Sequence, residues 1–325
     1  MSGNWGCFTG LQAGSVTLSA AMSSSLVWLW VPITLWAAFA QTIRNLAQKN
    51  LTRTHGTLPA TLVRFAYGLP FAVLWLWAVM AWNATPLPAL SPAFFGWVIA
   101  GAIGQIFGTA ALLGAMDRTN FAVASAYSKT EVLQVAIFAV VLLGEAVTAW
   151  SAVAILIATL GVVLLSAKDA KNAGGAAWRS KAAVYGVASG GLFAIAAVGF
   201  RGATVALHEP NPAIAGAYTL AWALAFQTLA LGGYLMVTQR DKVVAVLGGA
   251  WKLSMLAGLM GSAASVGWFT GFAMRNAPDV RALGLTEVFF SYVLARRLYG
   301  ERITRLEGTG MALLLAGLAI LCLQL

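Results

Sequence analysis

The chain alternates long apolar runs with short polar gaps. The runs cover residues 26–45, 58–82, 94–116, 121–144, 148–166, 181–207, 213–237, 252–274, 280–298 and 306–323. A helix needs about 20 apolar residues to cross the hydrocarbon core of a bilayer. The pattern therefore predicts an all-α integral membrane protein with ten transmembrane helices. Helix breakers stand in the gaps: Pro86, Pro88 and Pro92 after the second run, Pro210 and Pro212 after the sixth. The longest charged gap, KDAKNAGGAAWRSK, begins at Lys168 and divides the runs five and five.

The two sets of five resemble each other. Thr130-Glu131-Val132 matches Thr286-Glu287-Val288, Gly144-Glu145 matches Gly300-Glu301, and Gly161 matches Gly317, all at an offset of 156 residues. Apolar composition alone does not align such pairs. The register predicts a duplication with repeats at 25–167 and 181–325, joined by a polar linker at 168–180. An odd number of spans per repeat makes the second copy enter from the opposite side. Two inverted five-helix repeats follow, an architecture of secondary transporters. Gly104 and Gly108, Gly186 and Gly190, and Gly267 and Gly271 each form a GxxxG, which lets transmembrane backbones approach closely. Packing within one chain accounts for these pairs without a dimer, and the oligomeric state stays open.

Composition agrees with this reading. Of 325 residues 60% are hydrophobic and 9% charged, against about 25% charged in a soluble domain. The formal net charge of +10 is spread through the gaps rather than gathered on one face, so it signals membrane flanks and not a nucleic-acid partner. Arg44, Lys49 and Arg53 follow the first run, Arg118 the third, and Lys168, Lys171, Arg179 and Lys181 the fifth. Arg240, Lys242 and Lys252 follow the seventh, and Arg296, Arg297, Arg302 and Arg305 the ninth. The even-numbered gaps hold Arg201, Arg275 and Arg281. Taken alone, this bias puts the odd gaps in the cytoplasm and both termini outside.

Residues 1–24 form a polar leader without a charged side chain, unlike the basic start of a secretory signal. Met22 directly precedes the first strong run and is a candidate start, which would make the leader non-native. Cys7 and Cys322 suggest neither a disulfide framework nor a metal site. His55 and His208 lie in gaps, far apart. No metal or other cofactor is expected. Nor is an enzyme: no nucleophile–base pair or HExxH arrangement is present, and no Walker motif points to ATP.

The closing segments of the repeats, LLGEAVTAWSAVAILIATLGVVLL from Leu142 and LYGERITRLEGTGMALLLAGLAIL from Leu298, carry a family likeness. So does VRFAYG around Arg64. With ten runs in two repeats, the chain from about residue 26 onward resembles the EamA-type transporters of the drug/metabolite transporter superfamily. The resemblance implies a multi-pass protein of a bacterial inner membrane that moves a small-molecule substrate. It also implies both termini inside, against the charge bias. Many members carry a proline near the middle of helices four and nine. Here that region reads Thr-Glu-Val twice, which predicts an unbroken helix at each place.

A continuous fourth helix over 121–144 would be about 36 Å long and would put Glu131 about 15 Å deep. Glu287 would sit likewise in helix nine. Ionisable groups at that depth face a cavity or a partner and are read as functional. Both glutamates are expected to line one central cavity, binding a proton or a cationic group on the substrate. The competing reading makes Ser128-Lys-Thr-Glu131 a capping box. Lys129 either snorkels or binds an anion, and Arg64 has the same two options. Tyr127 and Gln105 complete the candidate site; Gln41, Gln134, Tyr292, Tyr218 and Trp222 are further polar or aromatic positions. Glu145 and Glu301 read as structural. The expected activity is secondary active transport, as an exporter, of a small polar metabolite such as an amino acid or amine, proton-coupled through Glu131 and Glu287. The alternatives are a lipid flippase of the same superfamily and, less favoured, a membrane-embedded enzyme.

Overall fold

A computed structural model describes residues 28–116, 118, 124, 127–171, 181–249, 251–299 and 305–323. The leader, Cys7 and Glu301 lie outside these residues. All regular structure among the described residues is helical. The principal helices are α1 (Trp30–His55), α2 (Thr57–Asn83), α3 (Pro92–Met116), α4 (Glu131–Phe138), α5 (Ala149–Lys171), α6 (Lys181–Ala206), α7 (Pro212–Thr238), α8 (Trp251–Met274), α9 (Thr286–Tyr299) and α10 (Arg305–Cys322). Short helical pieces at Arg240–Val244 and Ala277–Leu283 precede α8 and α9.

Six helices, α2, α3, α6, α7, α8 and α10, are long and apolar enough to cross a membrane. The apolar stretches at Glu131–Leu143 and Ala149–Leu165 are shorter. α1 runs to His55, ten residues past its apolar run, and carries Arg44, Asn45 and Gln48. Outward faces are apolar: Trp77, Trp82, Leu229 and Val237 are largely exposed, as a lipid-facing surface requires.

The largest departure from the sequence reading is at the Thr-Glu-Val segments. Neither helix is continuous there. Tyr127 and Ser128 are helical, Lys129 and Thr130 form a turn, and α4 begins at Glu131. In the second half the short helix ends at Leu283, Gly284 and Leu285 form a turn, and α9 begins at Thr286. Each glutamate therefore stands in the first turn of a helix rather than at mid-helix. The capping box is not formed either. Thr130, not Ser128, is the N-cap, without a side-chain cap bond, and Ser128 Oγ lies 3.3 Å from Ser189 Oγ. In the second half the break is prepared by Asn276, whose side chain accepts from Asp279 N at 3.1 Å, with Pro278 in the first turn. An Asn cap followed by proline is a strong helix start.

Helix contacts pair the two halves. α1 packs on α8 and α3 on α6; α4 packs on α6 and α9 on α1; α2 meets α7 and α5 meets α10. Exchanging the halves maps each of these contacts onto another or onto itself. Small residues set the approach. A Cβ at Gly161 would lie 2.5 Å from Leu314 N of α10, and one at Gly317 would lie 2.7 Å from Ala154 O of α5. Gly104 and Gly108 face α6 at Leu192 and Phe193, while Gly267 and Gly271 face α1 at Ala37 and Thr34. These GxxxG pairs are spent on packing inside the chain.

The bundle has two distinct ends. At one, Tyr67 Oη donates to Leu247 O at 2.6 Å and Gln48 Nε2 to Ala60 O at 3.0 Å, which joins the α1–α2 and α7–α8 connections. At the other, Asn211 Nδ2 donates to Asn83 Oδ1 at 3.1 Å. The end of α4 is fixed at this second end. After a π turn over Ala139–Leu143, Gly144 adopts φ 66°, a left-handed conformation that costs other residues about 1–2 kcal/mol. The reversal delivers Glu145 to Arg201 Nε at 2.6 Å, and Arg201 Nη1 donates to Phe272 O at 2.5 Å. The Gly-Glu pair is thus a turn residue followed by an anchor, as its structural reading expects.

Candidate functional site

A cavity lies between the halves. Its walls are Gln41 and Arg44 of α1, Arg64 of α2, Gln105 of α3, Glu131, Arg281 of the short helix, and residues of α6 and α8 including Ser265 and Trp268. The space open to the centre of a water-sized sphere is about 50 Å³, enough for a few waters and too small for an organic metabolite. Aromatic rings line the wall near Arg201: Phe200 and Phe269 meet at a tilt of 37° with centroids 4.5 Å apart, and Phe272 also lines it.

Each helix break presents a carboxylate to a cation from the other half. Glu131 Oε1 lies 2.5 Å from Arg281 Nη2, with the Glu131 side chain 5% exposed. The contact is charge against charge rather than an aligned hydrogen bond, since Glu131 Oε1 and Arg281 Nε both lack a hydrogen-bond partner. Glu287 Oε2 lies 3.3 Å from Lys129 Nζ. First-turn carboxylates are also favoured by the unpaired N–H groups of a helix start. Lys129 stands in the first turn and Arg281 on the short helix that ends before the second, and each faces a carboxylate of the opposite half.

The two glutamates are not equivalent. Glu131 lines the cavity, whereas Glu287 lies one side chain behind it. Gln41 Nε2 donates to Glu287 Oε2 at 2.5 Å and Asn45 Nδ2 to Oε1 at 3.0 Å. Gln41 Oε1 accepts from Trp268 Nε1 at 3.0 Å, and the Trp268 ring carries the Arg281 guanidinium on its face, 4.9 Å from the centroid. One chain of contacts therefore runs from Glu287 through Gln41 and Trp268 to Arg281 and Glu131. Gly284, which stands where the first repeat has Ser128, leaves room for Trp268; a Cβ there would strike the indole.

The other sequence candidates fall on both sides of the cavity wall. Arg64 lines it rather than snorkelling to a helix end. Gln105 lines it and accepts from Gln227 Nε2 at 2.7 Å. Lys129 reaches the site through Glu287. Tyr127 lies outside the wall, packed on α6 at Gly186 and Ala183. Gln134 bonds Thr130 and Val187 O. Tyr218 and Trp222 pack on Phe94 and Phe95 of α3. Sequence reasoning missed Arg44, Arg281 and Trp268. Both arginines were counted as membrane-flanking charges. The Asn276–Pro278 helix start was the signal that a separate short helix, and hence a new direction for Arg281, preceded α9.

Comparisons with known proteins agree with the fold. Residues 28–167 match the model of the EamA-like transporter family. A solved crystal structure is similar over 91% of this chain and 96% of its own, with a TM-score of 0.66 at 17% sequence identity; at that identity the likeness concerns the fold. No curated protein matches the chain in sequence. With its apolar, membrane-length helices, the chain is a multi-pass membrane protein that over residues 28–167 is similar to the EamA-like transporter family.

Proposed function

We propose that the protein is a secondary transporter of a small polar metabolite, working by alternating access between two inverted five-helix repeats in a bacterial inner membrane. The observation that carries this reading is the crossed pairing: Glu131 with Arg281 and Glu287 with Lys129, each joining one half to the other. Rocking of two repeats around a midplane site must make and break such contacts. Interrupted helices with charged groups at the break are how transporters place polar chemistry at that depth.

In the conformation described the cavity, at about 50 Å³, is too small for a metabolite, so the halves must separate to admit one. Arg201 and Glu145 tie the two halves together at one end, beside the Phe200–Phe269 ring contact. Substrate entry separates the halves and releases the glutamates from their cations. A carboxylate freed in this way is available to bind a proton, which couples opening to proton uptake. No step requires a cofactor.

The test is accumulation of labelled metabolites in proteoliposomes under an imposed pH gradient, with and without a protonophore. Gradient-dependent accumulation that collapses with the protonophore is the expected result. Transport indifferent to the gradient would remove proton coupling, and no transport of any compound, lipids included, would remove the transporter reading.

A further inference from the structure

The cavity holds more positive charge than its glutamate offsets. Arg44, Arg64 and Arg281 line it against Glu131, and Glu287 behind the wall, already paired with Lys129, is the other carboxylate whose charge reaches Arg44 and Arg281. Arg281 is paired, but no ion pair among the described residues includes Arg44 or Arg64. Arg44 is 6% exposed and, among the described residues, donates from Nε and Nη2 to the neighbouring Asn45 Oδ1, at 3.2 and 2.7 Å. Arg64 Nε is buried without a hydrogen-bond partner, and its guanidinium lies 4.9 Å from the centre of the adjacent Phe65 ring.

The two stems lie side by side. Both pass over Gly261 of α8, where a Cβ would meet Arg64 Cγ at 3.2 Å and Arg44 Cδ at 3.3 Å. Gly261 is the opening that admits two arginines to one place. Like charges brought together in a low-dielectric setting repel, and a buried cation without a counter-ion is costly. Planar guanidinium groups with spare donors match the two or three oxygens of a carboxylate or phosphate. A protonated amine fits this pair poorly.

We propose that Arg44 and Arg64 form an oxyanion-binding subsite, so that the substrate carries a carboxylate or phosphate group. The inference rests on the transporter reading above and replaces the amine among its substrate classes. Arg281 stands in the same cavity with an unpartnered Nε. A bound oxyanion competes with Glu131 for it, and Glu131, once released, is the group that takes up the proton.

The experiment is equilibrium binding to the full chain in nanodiscs of zwitterionic lipid, with labelled succinate and labelled inorganic phosphate as probes. Unlabelled glutamate, glycerol 3-phosphate, ethanolamine and phosphatidic acid are the competitors. The expected result is that at least one oxyanion binds, that other oxyanions displace it and that ethanolamine does not. Displacement by phosphatidic acid alone would keep the oxyanion chemistry and assign its source to a lipid head group. In Arg44→Gln and Arg64→Gln the affinity falls about tenfold or more, and in Arg118→Gln, away from the cavity, it is unchanged. Competition on the unmodified protein decides the matter even if a variant fails to fold. Absence of oxyanion binding, or transport of a cationic or neutral compound that survives both arginine variants, overturns the subsite while leaving the transporter reading intact. Failure of that reading is recognised separately, as no transport of any compound in the gradient assay.

Discussion

Glu131 and Lys129 lie two residues apart, yet replacing them has different consequences. Glu131 is 5% exposed and faces Arg281. Glu131→Leu removes a buried carboxylate and leaves Arg281, 18% exposed, without it, a change that costs about 1–3 kcal/mol. Lys129 is 19% exposed, and its partner Glu287 keeps Gln41 and Asn45 as donors. Lys129→Met is expected to cost less than Glu131→Leu, because those two donors remain on the carboxylate. Thermal unfolding of the purified variants in detergent ranks them; equal losses would contradict the asymmetry. The glutamates themselves were legible from sequence because a carboxylate in an apolar run needs a reason. Their partners were not. Arg281 stands six residues before Glu287, and only the turn at Gly284 and Leu285 brings it across to Glu131. Arg44 closes an apolar run and so reads as a flanking charge until α1 is seen to continue to His55.

At the scale of elements, apolar length located the long helices within a few residues, as at α2, α3, α6, α7 and α8. It failed where one run holds two helical pieces, because hydropathy averages across a turn. The shared glycines of α5 and α10 carry a prediction of their own. Gly161→Val places a side chain where Leu314 N and Gly310 O already stand, at 2.5 and 2.6 Å from a Cβ. The helices must separate, at about 1–3 kcal/mol. Gly232→Val is the control, because its nearest neighbour would be Leu62 Cδ1 at 3.5 Å. A lower melting temperature for Gly161→Val alone is expected, measured on the two proteins side by side. Equal melting temperatures would deny that α5 and α10 pack through this glycine.

At the scale of the whole molecule, the bundle's ends carry different charge. At the end that bears Asn83, Glu145 and Asn211, Arg201 is paired with Glu145 and Arg275 with Asp279, while Arg281 turns inward to Glu131. Those cations are therefore neutralised locally. The opposite end keeps Arg240, Lys242, Lys252 and Arg305 without an ion pair among the described residues. Positive flanks favour the cytoplasm, so that end is expected inside and both termini outside. A reporter active only in the cytoplasm, inserted in the 168–180 linker, is expected to give signal, and the same reporter after Leu325 none. The reverse pattern would show that family topology, with both termini inside, overrides the charge bias. The sequence signalled this bias. It could not signal which arginines turn inward, because that depends on contacts between halves separated by more than a hundred residues.

The central claim is that the crossed carboxylate pairs couple opening of the cavity to proton movement. Its most direct measurement is substrate-dependent proton flux into proteoliposomes containing a pH-sensitive dye, comparing the unmodified protein with Glu131→Gln and Glu287→Gln. The substrate is the compound accumulated in the gradient assay. The account predicts flux in the unmodified protein, its loss in Glu131→Gln, and partial retention in Glu287→Gln, whose carboxylate lies behind Gln41. Undiminished flux in Glu131→Gln would contradict it, because the carboxylate that faces the cavity would then have no part in carrying the proton.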